Sequence, residues 1–150
     1  MTKITKDSPL TEITLRRYEK PSLNDRDLVR KLCLSIGLLQ PGDSRDVIVD
    51  VFYVMLKNRK ALNSEQIREK VIEFRKEKKL PLLGIASSNI RRQLKRLREM
   101  YLIEKRLNNY LITEELTLNE ILKEKIEKFL IPTVFERVKE YFEAVDKEFS

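Results

Sequence analysis

The chemistry of this chain is concentrated in positive charge. Between Ser87 and Thr113 seven Lys or Arg side chains stand against two Glu, a net of +5, and five of the seven fall between Arg91 and Arg98. Cations at that density suit phosphate, because each one set against a nucleic-acid backbone releases a bound counterion and Arg adds a planar fork that fits a phosphate or a guanine edge. Ser88 and Asn89 precede the cluster, and a carboxamide can both donate to and accept from an adenine edge. The candidate contact set is therefore Ser88, Asn89, Arg91, Arg92, Lys95, Arg96, Arg98, Lys105 and Arg106. Arg91, Arg92, Lys95 and Arg96 are expected at base edges and phosphates, and Arg98, Lys105 and Arg106 mainly on the backbone.

Other chemistries lack their residues. Histidine is absent and Cys33 is the only cysteine, so neither an internal disulfide nor a Cys/His zinc site can be built. Cys33 sits among Leu28, Leu32, Leu34 and Ile36 and reads as a buried structural thiol. No glycine-rich phosphate loop and no spaced set of nucleophile and base is present, so no enzyme, cofactor or metal is expected. A net charge of +7 points to an acidic partner. It is unevenly distributed: residues 1–60 carry 12 basic and 8 acidic side chains, residues 61–112 carry 13 and 6, and residues 113–150 carry 6 and 10. The longest apolar run, Val47 to Leu56, is broken by Asp50 and is too short to span a bilayer. With no signal sequence at the start, a soluble cytoplasmic protein is expected.

The elements that must position the basic cluster follow from periodicity. Ile90, Leu94, Leu97 and Tyr101 recur at intervals of four, three and four, the buried stripe of a helix whose other faces are basic, with Ser87 or Ser88 as its cap. Leu102–Arg106 and Tyr110–Thr113 read as two strands joined through Leu107, Asn108 and Asn109, with asparagine in the left-handed conformation the turn demands. Upstream, residues 1–22 form an arm with a short strand at Glu12–Tyr18, whose Arg16, Arg17 and Lys20 either touch a phosphate backbone or are simply solvated. A helix from Asn24 buries Leu28, Leu32 and Ile36 and stops at Gly37. A second, Arg45 to Asn58 with a Ser44 cap, is apolar nearly all round and is expected to be central, or partly strand. Lys60–Leu62 supplies an edge strand. Asn63 and Gln66 form a capping box for a third helix with Ile67, Val71 and Phe74 inward. A loop, Leu80 to Ala86, precedes the basic helix.

Taken in order, helix, strand, helix, loop, basic helix and hairpin over about residues 43–113 resemble the winged helix-turn-helix family, with SSNIRRQLKRLREMYLIEKR resembling its third helix and the entry to its wing. The resemblance implies a mainly α fold with a small β-hairpin wing and flanking helices. It implies a recognition helix at residues 88–100 in a DNA major groove and a wing at 102–113, as in prokaryotic and archaeal transcription regulators. The loop from Leu80 to Ala86 is longer than the family's compact turn.

The last segment differs in character. Thr117 and Glu120 form a second capping box, Leu118, Ile121, Leu122, Ile126, Phe129 and Leu130 follow, and Pro132 is expected to break or kink the helix before Val134, Phe135, Val138, Tyr141, Phe142 and Val145. Its apolar stripe pairs either with a second copy or with the Asn24 helix of the same chain. The expected organisation is an arm (1–22), a winged-helix domain with a preceding helix (23–113) and a C-terminal dimerisation segment (114–150). The expected function is sequence-specific binding of double-stranded DNA by a homodimeric transcription regulator. A protein-docking scaffold within a nucleic-acid-associated complex is the alternative. RNA binding is disfavoured because few aromatics border the basic face. A small-molecule effector site lined by Phe129, Phe135, Tyr141 and Phe142 is without support beyond the residues themselves.

Overall fold

The computed structural model describes residues 7–150, so the first six residues of the expected arm lie outside it. The chain is mainly helical around a three-stranded antiparallel sheet of order β1-β3-β2. Its centre is α2 (Val47–Lys57), in which Val47, Ile48, Val49, Val51, Phe52, Val54 and Met55 are all buried. A helix apolar on every side has no face to offer water, so neighbours must cover it all round. Those neighbours are α1 (Asp25–Ser35), α3 (Ser64–Glu77) and α4 (Ser87–Glu99), with the sheet below them. Both ends of α2 fall short of the expected Arg45 and Asn58, and Asp46 rather than Ser44 precedes it, making no side-chain cap.

A buried ionic cluster ties three of these helices together. Asp50 is fully buried on α2 and accepts from Arg75 of α3 and from Arg26 of α1, the latter at 2.7 Å. Asp46 lies 3.0 Å from Arg26 and 3.6 Å from Arg75. Burial alone acts to lower the Arg26 pKa, but the hydrogen bonds and charges of Asp50 and then Asp46 outweigh it and hold the pKa above its ordinary value. The sequence reading of α1 needs correction at this face. Leu28 is exposed and Leu32 and Ile36 are half-buried, while Cys33 and Leu34 point into the core. Burial pushes the Cys33 thiol up to about 12, which keeps it neutral and inert.

The described part of the arm lies along α1 without forming the expected strand at Glu12–Tyr18. The Arg16 amide donates to the Ser35 carbonyl at 2.8 Å, and its guanidinium donates to the carbonyls of Leu34 and Leu39 and to Gln40. Arg16 thus satisfies the carbonyl end of α1, and its phosphate-contact reading does not hold. Gly37 closes α1 at φ +77, with Thr14 so near that a Cβ there would stand 2.5 Å from the Thr14 Cβ.

The sheet is short. β1 (Leu62–Asn63) pairs with β3 (Asn109–Ile112), which pairs with β2 (Ile103–Arg106), Arg106 opposite Asn109. Asn63 and Gln66 complete the expected capping box of α3, and Thr117 and Glu120 that of α5 (Leu118–Ile121). After α5 the chain winds as a π-helix over Leu122–Leu130 and continues into α6 (Ile131–Glu148). Pro132 neither breaks nor ends it. Proline has no N–H to give the carbonyl four residues back, and the wider winding begins upstream of it. That winding also brings Ile121, Ile126 and Leu130, spaced five and four, onto the face that joins the main core cluster. Beyond them only Ile131, half-buried, packs against that cluster; no residue of α6 is buried, and it does not dock on α1.

Candidate nucleic-acid interface

The basic residues are presented by α4, whose Ile90, Leu94 and Leu97 are fully buried against α2 and α3. At 3.6 residues per turn, Ser88, Arg92, Lys95 and Glu99 form the row opposite that stripe. Arg91 and Arg98 flank the row on the side of the hairpin, where Lys95, Arg98, Glu99, Glu104 and Lys105 border a shallow cleft between helix and strand. Ser88, Arg91, Arg92, Lys95 and Arg98 are exposed, and among the described residues none of the four cations forms an ion pair. Glu99, four residues after Lys95, is the one acidic side chain on α4, and it makes no ion pair with any of them.

The other flank behaves differently from the sequence reading. Asn89 donates to the Gly84 carbonyl at 2.7 Å and accepts from Gln93 at 3.1 Å. Arg96 is half-buried and donates to the Leu38 carbonyl at 2.6 Å and to Gln93 at 2.9 Å. Both side chains are engaged within the chain. Neither Ser87 nor Ser88 caps the helix: Ala86 is the N-cap, without a side-chain bond, and the Ser87 hydroxyl donates to Glu65 at 2.7 Å.

Two cations not in the candidate set hold the site in position. Arg75 Nε donates to the Pro81 carbonyl at 2.8 Å and Arg68 Nε to the Ile85 carbonyl at 2.6 Å. Both reach from α3 to the loop Leu80–Ala86, so its extra length does not leave the direction of α4 free. The sequence offered no signal for this role, since inward and outward arginines look alike in a charge count.

At its far end α4 turns into β2 through Tyr101, which takes the left-handed conformation at φ 63. The Tyr101 amide donates to the Arg98 carbonyl and the Leu102 amide to the Leu97 carbonyl, the paired bonds of a Schellman ending. Tyr101 is held there by Thr113, whose hydroxyl donates to its carbonyl at 2.7 Å, and by the edge of the Phe129 ring, centroids 5.9 Å apart. In the hairpin, Arg106 pairs with Glu104 at 2.8 Å and the Lys105 ammonium lies 5.6 Å from the Tyr110 ring centre. The turn is a residue shorter than expected. Asn109 belongs to β3, and Leu107, not an asparagine, carries the positive φ of 58.

Among the described residues, no group of three or more His, Cys, Asp or Glu could hold a metal ion, and no helix is long and apolar enough to cross a membrane. Comparison with protein-family models, with curated proteins and with solved structures finds no match.

Proposed function

We propose that this chain is a winged helix-turn-helix protein that binds double-stranded DNA as a homodimer and regulates transcription, with α4 as the recognition helix and β2–β3 as the wing. One observation carries the reading: Arg91, Arg92, Lys95 and Arg98 stand unpaired on one exposed face of a helix whose opposite face is fixed in the core. A rod of that width enters a major groove, and four free cations on it oppose phosphates on both banks. The helix, strand, helix, helix, hairpin order supports the same reading. The reading is of a binding protein and assigns no catalysis.

The homodimer rests on α6. Phe135, Val138, Phe142 and Val145 of α6, with Phe149 just past its end, are 42% to 82% exposed and recur at intervals of three and four, the seam of paired helices. A run of apolar side chains this long is stabilised by a partner, and its acidic flanks turn it away from DNA. A second copy also repeats the basic face about a two-fold axis, which a palindromic duplex matches.

The test is fluorescence anisotropy of labelled random-sequence duplex DNA over a salt series, with the Arg92→Ala, Lys95→Ala double variant beside the parent protein. Steeply salt-dependent binding that flattens in the variant supports DNA as the ligand. Weak binding that the substitutions leave unchanged turns the face into a docking surface for an acidic protein.

A further inference from the structure

Leu107 occupies the outermost point of the hairpin and is 93% exposed. The two-residue turn Leu107–Asn108 joins the paired residues Arg106 and Asn109, and Leu107 carries φ 58. A left-handed first position is where such turns take glycine, because any Cβ crowds the following carbonyl. Asparagine tolerates it, and two asparagines follow immediately, so the neighbouring residue type would fill the position with less strain. Tyr101, by contrast, is left-handed but half-buried, with Phe129 against its ring. Asp25, Lys79, Glu114 and Glu115 also take positive φ and are exposed, but all four are polar; among the described residues Leu107 alone puts an exposed apolar side chain in that conformation. A bulky apolar side chain held at a bare tip against its backbone preference does not serve the stability of the turn.

Resting on the DNA reading above, the geometry points to Leu107 as an apolar wedge that enters a minor groove and unstacks a base step, kinking the duplex. The hairpin projects about 13 Å from Ile103 to its tip, long enough to reach past the phosphate ridge beside the groove that α4 occupies. The residues around the tip match that destination. Lys105 and Arg106 are exposed and lie where the ridge of phosphates would pass. Asn108 and Asn109 supply donors and acceptors for the edges exposed in a minor groove. No acidic residue stands within two positions of Leu107. The Arg106 guanidinium, paired at the surface with Glu104, exchanges one oxygen anion for another when a phosphate arrives. Flexible pyrimidine–purine steps are the preferred sites, because they unstack at least cost.

The test uses a duplex of mixed sequence with a central TA step, carrying a donor and an acceptor dye at its ends, bound by the full chain, by Leu107→Asn and by Leu107→Met. The parent protein brings the ends together, as a kink of some 20° to 90° requires. Leu107→Met keeps the kink. Leu107→Asn leaves the duplex straight and binds about tenfold more weakly, yet melts about 2 to 4 °C higher because the turn is relieved. That opposite movement of binding and stability is what a purely structural leucine cannot produce. A parent complex that stays straight, or an unchanged bend and affinity in Leu107→Asn, overturns the wedge and leaves DNA binding standing. A parent protein that binds no duplex at all overturns both.

Discussion

Replacing Arg92 and Lys95 with Ala separates the cations that face outward from those the fold consumes. Five basic side chains on α4 and the hairpin are exposed without an ion pair: Arg91, Arg92, Lys95, Arg98 and Lys105. At about 0.9 counterion released per neutralised phosphate, log affinity falls with log salt at a slope of about −4.5 per subunit. Raising salt from about 50 to 200 mM then weakens each subunit's contact about 500-fold. The double Ala variant keeps three cations, a slope of about −2.7, and loses only about 40-fold over the same range. Arg96→Ala is the decisive control. Its guanidinium is bound to the Leu38 carbonyl and Gln93, so its removal leaves the slope near the parent value. It instead destabilises the fold by about 1 to 3 kcal/mol through an orphaned carbonyl. Anisotropy titrations at three salt concentrations, with urea denaturation of each variant, give both numbers. A parent slope shallower than about −2, or an Arg96→Ala slope as flat as that of the double variant, refutes the reasoning.

Four further outcomes are expected. Asp50→Asn leaves Arg75 buried without its full counter-charge and lowers unfolding free energy by about 3 kcal/mol in urea denaturation, the low end of such losses because Asp46 remains 3.6 Å away. Leu94→Ala empties a fully buried position beneath the basic face and costs about 2 to 5 kcal/mol, read in the same assay. Cys33 resists thiol reagents in native buffer and reacts on unfolding. Its pKa rises on folding from 9.0 to about 12, so above pH 9 the unfolded chain holds fewer protons than the native one, and stability falls from about pH 9 to about 12 with a slope of up to about 1.4 kcal/mol per pH unit. Phe142→Glu on α6 yields a monomer by analytical ultracentrifugation while the melting of the core is unchanged; a parent protein that is already monomeric counts against the homodimer.

Much of the fold was legible because its signals are local. The Ile90, Leu94 and Leu97 stripe, the capping boxes at Asn63 and Thr117 and the Tyr-, Ile- and Leu-rich strands of the hairpin each depend on residues a few positions apart. Misreadings arose where a distant partner decides. Leu28 has helical spacing but borders the groove between α1 and arm residues 18–23, so Cys33 and Leu34 take the inward places. Pro132 is compatible with a continuous helix once π winding alters the register before it. Asn108 and Asn109 were the turn formers by type, yet strand register put the left-handed position at Leu107.

For the candidate site, the sequence by itself determined that a rigid amphipathic helix carries a dense positive field, since charge and 3.6-residue periodicity are properties of neighbouring residues. Which cations remain free was decided only by tertiary structure. Arg16, Arg26, Arg68, Arg75 and Arg96 are chemically the same as Arg91, Arg92 and Arg98, but carbonyls and carboxylates brought from 6 to 58 positions away claim the first group and leave the second to solvent. Hydrogen-bond partners at such separations are set by how helices pack, and no local pattern along the chain encodes them.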